Sequence, residues 1–133
     1  MPDLIDIGPA TLDRTRPDLF FVRFKPGTLA DGQNLQISVA ARREHAGGTP
    51  HVAVLIAPED SDFAPSILGR NQYTGTSAET FTVALAIVCP NPTVRNILEL
   101  YFAMHLVSFP VQFFDTEKAG MAWALSQCPA PLP

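Results

Sequence analysis

The chain has 133 residues, of which 47% are apolar and 17% charged, enough apolar material for one packed core and too much for a disordered chain. Nine Lys and Arg against thirteen Asp and Glu leave a formal charge of −4, so no broad phosphate-binding face is expected and nucleic acid is not an expected partner. One domain over 1–133 is expected, with its core at about 10–127 and peripheral ends.

The opening MPDLIDIGPA carries Asp3 and Asp6 but no Lys or Arg, unlike the basic start of a secretory leader, so a cytoplasmic chain is expected. Ala10 to Arg16 and the β-prone Leu19 to Phe24 flank Pro17-Asp18, a turn pair, and together read as a hairpin. Asp31 as cap and Gly47-Gly48 as stop define a helix over 32–46. His51 to Ala57, between Pro50 and Pro58, has the composition of a strand covered on both faces. Pro65 suits the first turn of a short helix within Phe63 to Thr74.

Phe81 to Cys89 is a nearly continuous β-prone run and is expected to be a central strand. Asn91 then caps, and Pro92 opens, a helix reaching about Val107. Val111 to Phe114 forms a further short strand, after which Asp115 caps a last helix in which Trp123 is a core anchor. The closing Pro129, Pro131 and Pro133 stop it. The charge-free run from Leu100 to Phe114 contains His105 and Pro110 and falls short of the about 18 to 20 residues a membrane span needs. The order predicts an α/β fold: an about five-stranded, mostly parallel mixed sheet with an N-terminal hairpin and about four helices.

Three segments carry a resemblance to a known family: FFVRFKPGTLADGQNL, PHVAVLIAPED and, most specifically, ALAIVCPNPTVRNILELYFAMHLVSFPVQFFDTEKAGMAWAL. Over roughly residues 18–126 the chain resembles the STAS-like, or SpoIIAA-like, small single-domain α/β proteins of bacteria. The resemblance implies a non-enzymatic regulatory or interaction domain, whose relatives are variously phosphorylation-controlled partners of other proteins or candidate binders of small or apolar ligands. In the phosphorylated members the serine lies in an Asp-Ser-Ser-Gly type sequence after the third strand. Here the stretch reads APEDSDFAPSILGR, so Ser61 and Ser66 are the candidate phosphorylation sites, but neither stands in that motif and the switch is not carried over.

The remaining constellations are weak. Glu59, Asp60 and Asp62 around Ser61 could hold a hard cation, but they read more simply as a solvated turn with a helix cap. His45, His51 and His105 match no zinc-ligand spacing, and Cys89 and Cys128 form no CxxC pair and read as small hydrophobes. There is no GxSxG, GxxxxGK[ST] or GxGxxG sequence, so neither an enzyme nor a cofactor is expected.

The Pro92 to Val107 helix holds two further expectations. Tyr101, Met104 and His105 are candidate apolar-ligand contacts, His105 being a polar handle four residues beyond Tyr101. Leu100, Met104 and Val107 extend the apolar stripe beyond the width one sheet face needs, which predicts a homodimer interface, the alternative being that the FPVQFF strand or the last helix covers this flank within one chain; an unidentified protein partner is a separate candidate.

Overall fold

The structure, a computed structural model, describes residues 3–16, 18–30, 32–47, 49–60, 62–63, 68 and 78–128. The expected hairpin is strand β2 (Ala10–Arg16) against β3 (Leu19–Phe24), antiparallel, with a register shift between Arg14 and Arg16. Ahead of it a strand the sequence reading did not anticipate, β1 (Asp3–Asp6), pairs antiparallel with β2. Its Ile5 lies opposite Leu12, and Asp6 accepts from Lys25 Nζ at 2.9 Å. Four residues with an acid at each end hold too little apolar alternation to announce a strand.

After β3 come the two-residue β4 (Leu29–Ala30) and helix α1 (Gly32–Ala46), which stops at Gly47 with φ +59°, a left-handed conformation glycine adopts without strain. Strand β5 (His51–Ile56) follows, then β6 (Asp62–Phe63), which pairs parallel with β4 as a separate small sheet. The predicted helix over Phe63 to Thr74 falls almost wholly outside the described residues, as do Asp31, Gly48, Ser61, Ser66 and the Pro129–Pro133 tail. A single helical turn, α2 (Ala78–Phe81), precedes β7 (Thr82–Val88), so Phe81 closes a turn instead of opening the strand.

Helix α3 (Pro92–Met104) begins as the sequence indicates: Asn91 Oδ1 accepts from the backbone N–H of Thr93 at 3.0 Å and of Val94 at 3.3 Å, with Pro92 in the first turn. It ends three residues before Val107, where His105 leaves helical geometry. Strand β8 (Val111–Phe114) then leads to α4 (Glu117–Gln127). The cap of α4 is Thr116, whose hydroxyl accepts from Ala119 N–H at 3.2 Å; Asp115 instead binds the guanidinium of Arg95.

The main sheet has six strands in the order β1-β2-β3-β5-β7-β8, one more than expected, with the antiparallel pairs at the N-terminal side and parallel pairs from β3 onward. Among the described residues the helices longer than one turn are α1, α3 and α4. Strand β7 is an inner strand, as its run of apolar residues requires.

Side chains alternate across the sheet and build two cores. On one face Leu12, Phe20, Val22, Ala53, Leu55, Leu85 and Ile87 meet Leu35 and Val39 of α1 and Val94, Leu98 and Tyr101 of α3. On the other Leu19, Phe21, Val52, Val54, Ala84, Ala86 and Val88 lie with Ala124 of α4. There α4 rides low on the sheet because Gly120 has no side chain: a Cβ would stand 2.7 Å from Val88 Cγ2.

Candidate functional site

Helix α3 is the element on which the sequence places most of its candidate residues, and its two flanks differ. A helix turns 100° per residue, so Arg95, Glu99 and Phe102 share one flank and Ile97, Leu100 and Met104 the other. The first flank turns toward β8. Phe102 meets Phe113 edge-on with ring centroids 6.1 Å apart, and Arg95 pairs with Asp115 just beyond the strand and, at 3.8 Å, with Glu99.

The opposite flank points away from β8 and is apolar. Leu100 is 46% exposed, Met104 54%, and Leu106, just past the helix end, 80%. Val107 differs from its two predicted companions: it is partly buried and packs against the main core, beyond the end of the helix.

Tyr101, Met104 and His105 do not converge on one point. Tyr101 is fully buried, beside Phe102 at 4.9 Å and the His105 ring at 5.1 Å. His105 is already engaged: its Nε2 lies 2.8 Å from the Leu68 carbonyl, which can only accept, so this nitrogen carries the proton and donates. Met104 alone of the three faces outward.

After β5, one carboxylate and one backbone carbonyl hold neighbouring loops. Asp60 Oδ1 accepts from Gly27 N–H at 3.0 Å, and the Glu59 carbonyl accepts from Asn91 Nδ2 at 3.2 Å, tying the loops after β3, β5 and β7 together. Among the described residues no three His, Cys, Asp or Glu side chains are grouped so that they could hold a metal ion. The described cysteines are both free thiols, and burial raises the pKa of Cys89.

A polar cluster that sequence reasoning passed over sits inside the main core, where β5 and β7 begin. Arg42 Nη1 lies 3.0 Å from His51 Nε2 and donates to Thr82 Oγ1 at 3.0 Å, and the Arg42 and His51 side chains are fully buried. Arginine only donates, so Nε2 of His51 accepts and the proton resides on Nδ1, which donates to the Thr49 carbonyl at 2.9 Å. The imidazole stacks on Phe20 at 4.4 Å and on Phe81 at 5.5 Å. Burial first, and then the neighbouring Arg42 charge, push its pKa down to about 4, so it is neutral at pH 7. The signal was present in the spacing Leu35, Val39, Arg42, Ala46, which places Arg42 on the buried side of α1.

No protein-family model matches the sequence, and no curated protein matches it significantly. A likeness appears in three dimensions: the crystal structure of an uncharacterized protein of the DUF3478 family with a SpoIIAA-like fold, from Shewanella loihica PV-4. It superposes with a TM-score of 0.53 over 93% of this chain and 95% of that one, at 15% sequence identity. The chain therefore has a STAS-like, SpoIIAA-like α/β fold, as the sequence resemblance implied. No helix among the described residues is long and apolar enough to cross a membrane.

Proposed function

We propose that this chain is a non-enzymatic SpoIIAA-like interaction domain that self-associates through the outer flank of α3. The observation that carries this reading is the exposure of Leu100 and Met104 on the outer flank of α3, with Leu106 exposed just past its end. The polar groups that a pocket on the same helix would use are spent inside the fold: Tyr101 is buried and the Nε2 proton of His105 goes to Leu68. The flank therefore suits a second apolar surface better than a small ligand.

The magnitude sets the kind of contact. Covering the exposed half of Leu100 and of Met104 contributes about 1 kcal/mol each, and Leu106 about 2, giving roughly 8 kcal/mol across a two-fold contact. Association costs about 4 to 15 kcal/mol, so a weak, reversible dimer is expected, not an obligate one.

Sedimentation velocity over a micromolar concentration series tests it. Self-association that Leu100→Glu or Met104→Glu removes while thermal unfolding stays cooperative supports the reading; a 14.4 kDa species throughout the series rejects it. Native mass spectrometry that finds a reproducible bound small molecule, lost in the same variants, would replace it with a ligand-binding function.

A further inference from the structure

The two outer strands of the main sheet are guarded differently. Natural sheets protect free edges with charge, proline or irregularity, because unpaired backbone groups there recruit another strand. Strand β1 carries a charged residue within it, Asp6, ion-paired with Lys25. Strand β8, Val-Gln-Phe-Phe, carries no charge and no proline within it, and Val111, Phe113 and Phe114 are each only partly buried.

Its ladder fixes which backbone groups are free to pair. The bonds into β7 include Leu85 N–H to the Pro110 carbonyl and Cys89 N–H to the Phe114 carbonyl, both 2.9 Å. Successive residues of a strand direct their backbone groups to opposite sides, so Pro110, Gln112 and Phe114 face β7, and Val111 and Phe113 turn their N–H and C=O outward. Among the described residues no strand pairs with that side.

We infer that β8 pairs antiparallel with β8 of a second copy of this chain, continuing the sheet across a two-fold axis at Gln112. In this register Val111 of one copy exchanges backbone hydrogen bonds with Phe113 of the other, and the reverse. Gln112 stands opposite Gln112 in a close, non-hydrogen-bonded pair, where one amide donates and the other accepts. The apolar side chains Val111 and Phe113 meet on the α3 side, where Phe102 is also only partly buried. Asp115, just beyond the strand, is held by Arg95 of its own copy, so its charge is partnered when the strands pair.

Self-pairing is favoured over a foreign strand because the strand is uncharged and, in this register, the outward N–H and C=O of Val111 meet those of Phe113 on the second copy. The seam is distinct from the exposed flank of α3, since Leu100 and Met104 face away from β8 and Phe102 and Arg95 face toward it.

The test uses the two-fold itself. Gln112 is exposed, so Gln112→Cys, made together with Cys128→Ser, should leave the fold intact and bring two thiols opposite each other at a separation a disulfide can bridge. Under mild oxidation it should form a covalent dimer about tenfold faster than the equally exposed Ala122→Cys in the same background. Equal rates at the two positions overturn the seam. In sedimentation, Gln112→Glu should weaken association by setting like charges opposite each other, and unchanged association in that variant likewise overturns the seam. Loss of association in Leu100→Glu alone would then leave the α3 reading standing, whereas loss in Gln112→Glu alone would keep the seam and remove the α3 contact.

Discussion

Lowering the pH from 7.5 to 4.5 should weaken this fold through His51. The imidazole is neutral in the folded state because burial disfavours its charged form and the Arg42 charge beside it opposes a second; its folded pKa is about 4, against about 6.5 in the open chain. Between those values the unfolded state binds a proton that the folded state refuses. Stability is therefore complete above about pH 6.5 and falls as the pH drops, with a slope approaching 1.4 kcal/mol per unit and a loss of about 3 kcal/mol by pH 4. That is a large fraction of the roughly 5 to 15 kcal/mol a domain possesses. Urea unfolding at pH 7.5, 6.5, 5.5 and 4.5 in buffers of equal ionic strength measures the slope. His51→Gln, whose side-chain carbonyl can still accept from Arg42, should be less stable at pH 7.5 yet flatter between pH 6.5 and 4.5. Parallel pH dependence in the two proteins, or a His51 imidazole that titrates near 6.5 by NMR, would refute the reasoning. The Asp6 carboxylate, whose pKa Lys25 lowers, adds acid sensitivity only below its ordinary value of 3.8 and so falls outside this window.

Two substitutions test local packing. Gly120→Ala drives a methyl to 2.7 Å from Val88, itself buried, so α4 must lift off the sheet; a loss of about 1 to 3 kcal/mol and a clear drop in Tm are expected in calorimetry. Asn91→Ala removes the acceptor for Thr93 and Val94 and the donor to Glu59 and should cost about 1 kcal/mol in urea unfolding, with Asn91→Asp recovering the cap but not the loop tie.

The parts of the fold legible in the sequence are those in which local chemistry and burial agree. Val111 to Phe114, Leu19 to Phe24 and the Asn91-Pro92 helix start were marked by apolar runs between prolines and by a cap, and the structure places them where those signals lie. Strand β1 was not legible because its ordering comes from outside it: Leu12 across the ladder and Lys25 on Asp6. Asp115 is the cap the sequence indicates for α4, but Arg95, twenty positions away, claims the aspartate and Thr116 caps instead. The Arg42–His51 pair was hidden for a related reason. A periodic arginine reads as a solvated interruption until a strand from elsewhere supplies its acceptor.

The path of the strands also decides where function can sit. In open α/β sheets the ligand crevice forms at the carboxyl ends of the strands, where the strand order reverses. Here the parallel strands run β3, β5, β7, β8 in one direction without reversal. Two ties cross that edge, Asp60 to Gly27 and Asn91 to Glu59. Of the acidic residues there, the Asp60 carboxylate fastens a loop. What the topology leaves presented to the surroundings is lateral: the apolar flank of α3 and the uncharged edge of β8, on opposite sides of the same helix. These are the two surfaces on which the proposed self-association rests, and mutation of one at a time separates them.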